Sequence, residues 1–93
     1  MGRKSKSQKI INEQEESENK YPDSKYLVIY DFEEGNNPRK FYDNLYRLFD
    51  HYGGNLVQRS VAEVKGTSAS LAVASLARGY GANVLRYRVV KEE

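Results

Sequence analysis

The chain has 93 residues, 30% of them charged, with a formal net charge of +2 and no cysteine. That allows at most one small domain and excludes disulfides, thiol nucleophiles and thiolate metal sites, while the single histidine, His51, excludes a histidine-rich zinc centre. No apolar run approaches the roughly 20 residues of a membrane span, and the basic start MGRKSKSQK is followed by only II before acids begin, so a cytoplasmic protein is expected.

Residues 1–24 hold a basic block (Arg3, Lys4, Lys6, Lys9) and then an acidic one (Glu13, Glu15, Glu16, Glu18). Such polar, aromatic-poor sequence does not offset the entropy of ordering it, which predicts a disordered tail over 1–24 and a folded unit over 25–93. From Tyr26 the composition changes. YLVIYDF is β-branched and aromatic, and both its faces are apolar until Asp31, which predicts a central strand covered on both sides. EEGNN reads as a loop, with Asn37 as the cap of the next helix and Pro38 at its first position. Phe41, Leu45, Leu48, Phe49 and Tyr52 then fall on one helical stripe that ends at Gly53-Gly54.

The stretch NLVQRSVAEV alternates imperfectly, and a bulge or bend near Gln58–Ser60 would divide it into two short strands. TSASLAVASLARGYG predicts a helix capped by Thr67 or Ser68, made of Ala, Ser and Leu, with Arg78 its only charge. NVLRYRVV predicts a last strand, with Val84, Arg86, Arg88 and Val90 on one side and Leu85, Tyr87 and Val89 on the other. The order β-α-β-β-α-β predicts an α+β fold, a ferredoxin-like sandwich of two helices on an antiparallel sheet. Two helices cover only one face of that sheet, and a homodimer is the simplest way to cover the other.

Asp31, where the first strand ends, is the candidate for metal binding and catalysis. One carboxylate is too few to hold Mg²⁺ or Mn²⁺, but two brought together across a dimer axis would hold the ion and activate water. The competing reading is a turn acid, or a partner of Arg39 or Lys40; Glu33 and Glu34 are at most auxiliary. Arg39, Lys40, Arg59, Arg86 and Arg88 form a candidate nucleic-acid-binding set, with edge-strand protection the competing role for the last two. KGTSAS puts a glycine and hydroxyls at a helix start, where free N–H groups hold either an anion or a cap. An RNA-recognition surface would need aromatics on the third strand, and SVAEVKG has none.

Tyr30-Asp31 ending an apolar strand, Tyr52-Gly53 closing a helix, and Gln58, Ser60, Val61 and Glu63 in the next strands resemble the pattern of the CRISPR-associated protein 2 family, as does NVLRYRVV. The likeness spans about residues 25–90. It implies a ferredoxin-like homodimer with the two Asp31 side chains facing each other near the axis. It also implies either a metal-dependent endonuclease or a non-catalytic duplex-DNA-binding partner of an integrase, with DNA versus RNA left open. The alternative from another class is a non-catalytic protein-interaction or inhibitor module that binds protein through the small-residue helix that starts at Thr67 or Ser68 and stops at Gly79 or Gly81.

Overall fold

The computed structural model describes residues 6–15, 18–33 and 38–90. The expected cap Asn37 and the loop acid Glu34 lie outside the described residues, as do Arg3, Lys4 and Glu16. A helix α1 (Lys6–Glu15) is followed by β1 (Lys25–Asp31), α2 (Arg39–Tyr52), β2 (Asn55–Gln58), β3 (Val61–Lys65), α3 (Thr67–Gly79) and β4 (Asn83–Arg88). The strands form one antiparallel sheet in the order β2-β3-β1-β4. This is an α+β protein, and no helix among the described residues is long and apolar enough to cross a membrane.

β1 lies between two neighbours because its β-branched and aromatic run tolerates burial on both sides. Its register sets Val28 opposite Ala62 of β3 and Arg86 of β4. Tyr26, Val28 and Tyr30 point toward the helices and are buried, with Ala62 and Val64 beside them. Phe41, Leu45, Leu48 and Phe49 of α2 fill the space above, so the expected stripe is the buried one; Tyr52 is half-buried at its end. Pro38 is the N-cap residue of α2 rather than its first helical residue, in extended conformation. Gly53 ends the helix with φ 80° while its N–H donates to the Phe49 carbonyl, the positive φ that makes glycine the preferred stop. The bend in NLVQRSVAEV falls at Arg59–Ser60, and a bulge between Leu56 and Gln58 restores the alternation.

The expectation of disorder over 1–24 fails for Lys6–Glu15. Ser7, Ile10 and Ile11 share one helical face and are buried where α1 packs on α2 and α3. Ten residues do not hold a helix alone; docking does, and bulk composition carries no sign of it. The Ser7 N–H donates to Asn44 Oδ1 at 3.3 Å, and the Asn44 amide continues to the Tyr80 hydroxyl at 3.2 Å. Nor is residue 24 a boundary in the fold, because its carbonyl accepts from the Gly66 N–H at 2.7 Å.

Docking makes a measurable demand. Ile10→Ala and Ile11→Ala should each lower unfolding stability by about 2–4 kcal/mol, the cost of emptying a buried aliphatic site, in urea titrations of the full chain. A disordered segment would leave the midpoint unmoved.

Candidate functional site

Asp31 is the last residue of β1, opposite Asn83 of β4, and is exposed. Its parity is that of Leu27 and Ile29, so it belongs to the sheet face that carries no helix. Among the described residues it forms no ion pair with Arg39 or Lys40. Among them, too, no three histidine or carboxylate side chains converge as a metal group would require. A single exposed carboxylate on one chain does not fit a Mg²⁺ or Mn²⁺ centre.

The backbone around Asp31 is held firmly. Tyr30, Phe32 and Phe41 meet edge to face, with centroids 4.9–6.0 Å apart. The hydroxyls of Tyr30 and Tyr42 both donate to the Arg59 carbonyl, at 2.7 and 3.1 Å, and the Tyr30 N–H donates to the Ser60 carbonyl. The β2–β3 turn is thereby tied to the end of β1. Burial, then the neighbouring Tyr42, pushes the Tyr30 phenol far above its ordinary pKa, so it stays a donor.

The five basic candidates do not form one patch. Arg39 and Lys40, in the first turn of α2, and Arg59, in the β2–β3 turn, are exposed and follow or flank the Asp31 end of the sheet. Arg86 and Arg88 lie at the other end of β4, opposite Val28 and Tyr26. They share the helix-facing side of an edge strand, and both are exposed. Arg86 Nη1 donates to Ser70 Oγ at 3.0 Å, and its guanidinium stands 5.5 Å from the Tyr26 ring centre. The Arg88 guanidinium lies 4.0 Å from the centre of Tyr21, whose ring also has Lys20 Nζ at 5.5 Å.

Lys20 and Tyr21 lie in the segment that composition alone predicts to be disordered, so composition does not single them out. The legible signal was YPDS, with proline second and aspartate third as a turn prefers; Tyr21–Ser24 is closed by a 3.3 Å bond from the Ser24 N–H to the Tyr21 carbonyl. The same segment settles the KGTSAS question. The N-cap of α3 is Gly66, φ 100°, with no side-chain cap of its own, rather than Thr67 or Ser68. The Thr67 N–H donates to the Tyr21 carbonyl at 3.2 Å and the Ser68 N–H to Asn19 Oδ1 at 3.2 Å. Those amides are taken by the chain itself and do not wait for an anion.

Two surfaces remain. The helix-free side of the sheet presents half-buried Leu27, Ile29 and Val61 and exposed Leu85, Tyr87 and Val89, rimmed by the Lys25–Glu63 pair at 2.7 Å. Only Tyr87 among these is aromatic. The small-residue helix α3, by contrast, is not a free surface. Nine of its 13 residues are buried, and α1 packs against it. A cavity of about 460 Å³ opens beside Tyr52, Gly54, Lys25 and Lys65, at the opposite end of β1 from Asp31.

Compared with family models, curated proteins and solved structures, the chain matches none of them.

Since Asn19 caps α3 from a distance of 49 residues, Asn19→Ala should cost about 1 kcal/mol of stability, as for loss of an ordinary cap. Hydrogen exchange at the Ser68 amide should quicken in the same variant.

Proposed function

We propose that this protein is a ferredoxin-like subunit that works as a homodimer and binds nucleic acid, as its resemblance to the CRISPR-associated protein 2 family implies. One observation carries the reading: β4 is an exposed edge strand with two different sides, Arg86 and Arg88 on one and Leu85, Tyr87 and Val89 on the other. The strand order β2-β3-β1-β4, with helices between β1 and β2 and between β3 and β4, supports the ferredoxin-like part. The apolar side supports the dimer. It joins Leu27, Ile29 and Val61 in one contiguous helix-free patch, more than a solvated sheet face needs, and its rim of opposite charges suits a copy of itself. The basic side supports phosphate binding, since arginine forks match phosphate oxygens.

Replacing Leu85 and Tyr87 together by aspartate should convert the dimer to monomer in light scattering, with circular dichroism unchanged, because both side chains are over half exposed in one chain. A wild type that stays monomeric at micromolar concentration refutes the dimer. Binding to a short duplex should weaken steeply with log salt; salt-insensitive binding speaks against phosphate contacts.

The endonuclease form of the reading depends on Asp31 and its dimer mate. What supports it is parity: Asp31 shares the helix-free face, so a second copy seated there brings a second carboxylate into the same layer. The two Asp31 carboxylates would hold Mg²⁺ or Mn²⁺, which when bound supplies an activated water for phosphodiester hydrolysis. Carboxylates at close range do not both stay ionised without cost. On this reading, either ion should raise the melting temperature of the wild type and leave Asp31→Asn unchanged, and without metal Asp31→Asn should be at least as stable. A wild type indifferent to both ions, and a less stable Asp31→Asn, would make Asp31 a turn residue and remove the nuclease.

A further inference from the structure

The exposed arginines of β4 are more ordered than solvated edge charges need to be. Each guanidinium is placed by a different aromatic ring: Arg86 by Tyr26 at 5.5 Å, and Arg88 by Tyr21 at 4.0 Å. Arg86 is fixed further by its 3.0 Å bond to Ser70 Oγ, which itself donates to the Thr67 carbonyl at 2.7 Å. Tyr26 is anchored in turn, its hydroxyl 2.8 Å from Thr67 Oγ1, and that same oxygen accepts from the Tyr21 N–H at 2.9 Å. One threonine therefore ties together the residues that carry both rings.

A guanidinium attracted to a ring through its charge does not spend its N–H donors on that ring, which leaves them for an anion. Arg86 gives Nη1 to Ser70, and a guanidinium has five N–H donors in all. Positions 86 and 88 are on the same side of a strand, about 6.8 Å apart along it by the two-residue repeat. A polyanion with groups at a similar repeat would meet both forks at once, and neighbouring phosphates along one nucleic-acid strand have such a spacing. Lys20, on the other contact with the Tyr21 ring, adds a third cation to the same edge.

We infer that Arg86 and Arg88 form a preformed clamp for two consecutive phosphates of a single nucleic-acid backbone, with Tyr21 as a positioning residue. The inference rests on the nucleic-acid reading above and assigns to it the binding edge and the mode. Because phosphates carry no sequence, the clamp contributes affinity and register without base preference.

The test is fluorescence anisotropy of a labelled short duplex titrated with the full chain at several salt concentrations. Replacing both arginines by glutamine should lower the slope of log affinity against log salt by about 1.8, about 0.9 for each lost phosphate contact. Across about 50 to 200 mM salt the wild type then loses about 12-fold more affinity than the double variant. Replacing both by lysine should keep the slope and weaken binding, since the charge remains while the planar fork of donors is lost. Tyr21→Leu should weaken binding several-fold with slope and melting temperature unchanged, a result that a purely structural tyrosine would not give. A folded double glutamine variant with the wild-type slope overturns the clamp and leaves nucleic-acid binding standing on Arg39, Lys40 or Arg59. A wild type that does not bind the duplex even at low salt overturns both. Poly-glutamate that displaces DNA from the wild type but not from the lysine variant overturns the phosphate assignment in favour of an extended acidic peptide.

Discussion

The rest of the structure depends on the burial of α3. Its side chains are mostly Ala and Ser, and nine of 13 residues are withdrawn from water. Small side chains let its backbone come close to whatever covers it, but each contributes little apolar area. The helix is stable only if every side is supplied. The sheet covers one side, through β1 and β4, α2 a second and α1 a third. Its N-terminal amides, buried with Thr67 and Ser68, need acceptors as much as its sides need cover, and Asn19 and Tyr21 provide them. Residues 6–15 thus contribute cover for α3, and Asn19 and Tyr21 a cap for its first turn and the ring beside Arg88.

Stiffness is concentrated differently at the two ends of β1. At the Asp31 end an aromatic cluster of Tyr30, Phe32, Phe41, Tyr42 and Tyr80 packs edge to face. Two tyrosine hydroxyls converge on one carbonyl of the β2–β3 turn. At the Lys25 end the ties are polar, through Thr67, Asn19 and the Tyr21–Ser24 turn. Asp31 itself is an exposed acid next to that cluster, whereas Arg86 and Arg88 are exposed cations with ring or hydroxyl partners of their own.

Much of the fold was legible because it rests on local pattern. The period of Phe41, Leu45, Leu48 and Phe49, the glycines at 53–54, and the broken alternation near Gln58 each report a neighbourhood of a few residues, and each corresponds to an observed feature. What was not legible depends on distant partners. Ile10 and Ile11 in a charged segment look like two stray apolar residues until α2 and α3 exist to receive them. Thr67 and Ser68 are good capping residues by type, yet Gly66 occupies the cap because the acceptors come from Asn19 and Tyr21, on the far side of the chain. The candidate site shows the same division. Parity along β4 was readable from alternation and holds, but that Arg39, Lys40 and Arg59 gather near one end of the sheet and Arg86 and Arg88 near the other is a matter of strand order.

That separation is compatible with one molecule carrying two contacts at once. Leu85, Tyr87 and Val89 have the parity of Leu27 and Ile29, while Arg86 and Arg88 have the parity of Val28 and Tyr26. A copy seated on the helix-free face would cover the first group and leave the second exposed, because alternate residues of a strand project to opposite sides. Two-fold symmetry would then present two arginine edges, one from each chain, on the outer flanks of a single body. A long polyanion reaching both edges gains from the second at an effective concentration set by the dimer, with no new kind of contact. In this arrangement the apolar side of β4 and its basic side would serve one end: dimerisation would convert a two-arginine contact, weak by itself, into a divalent one.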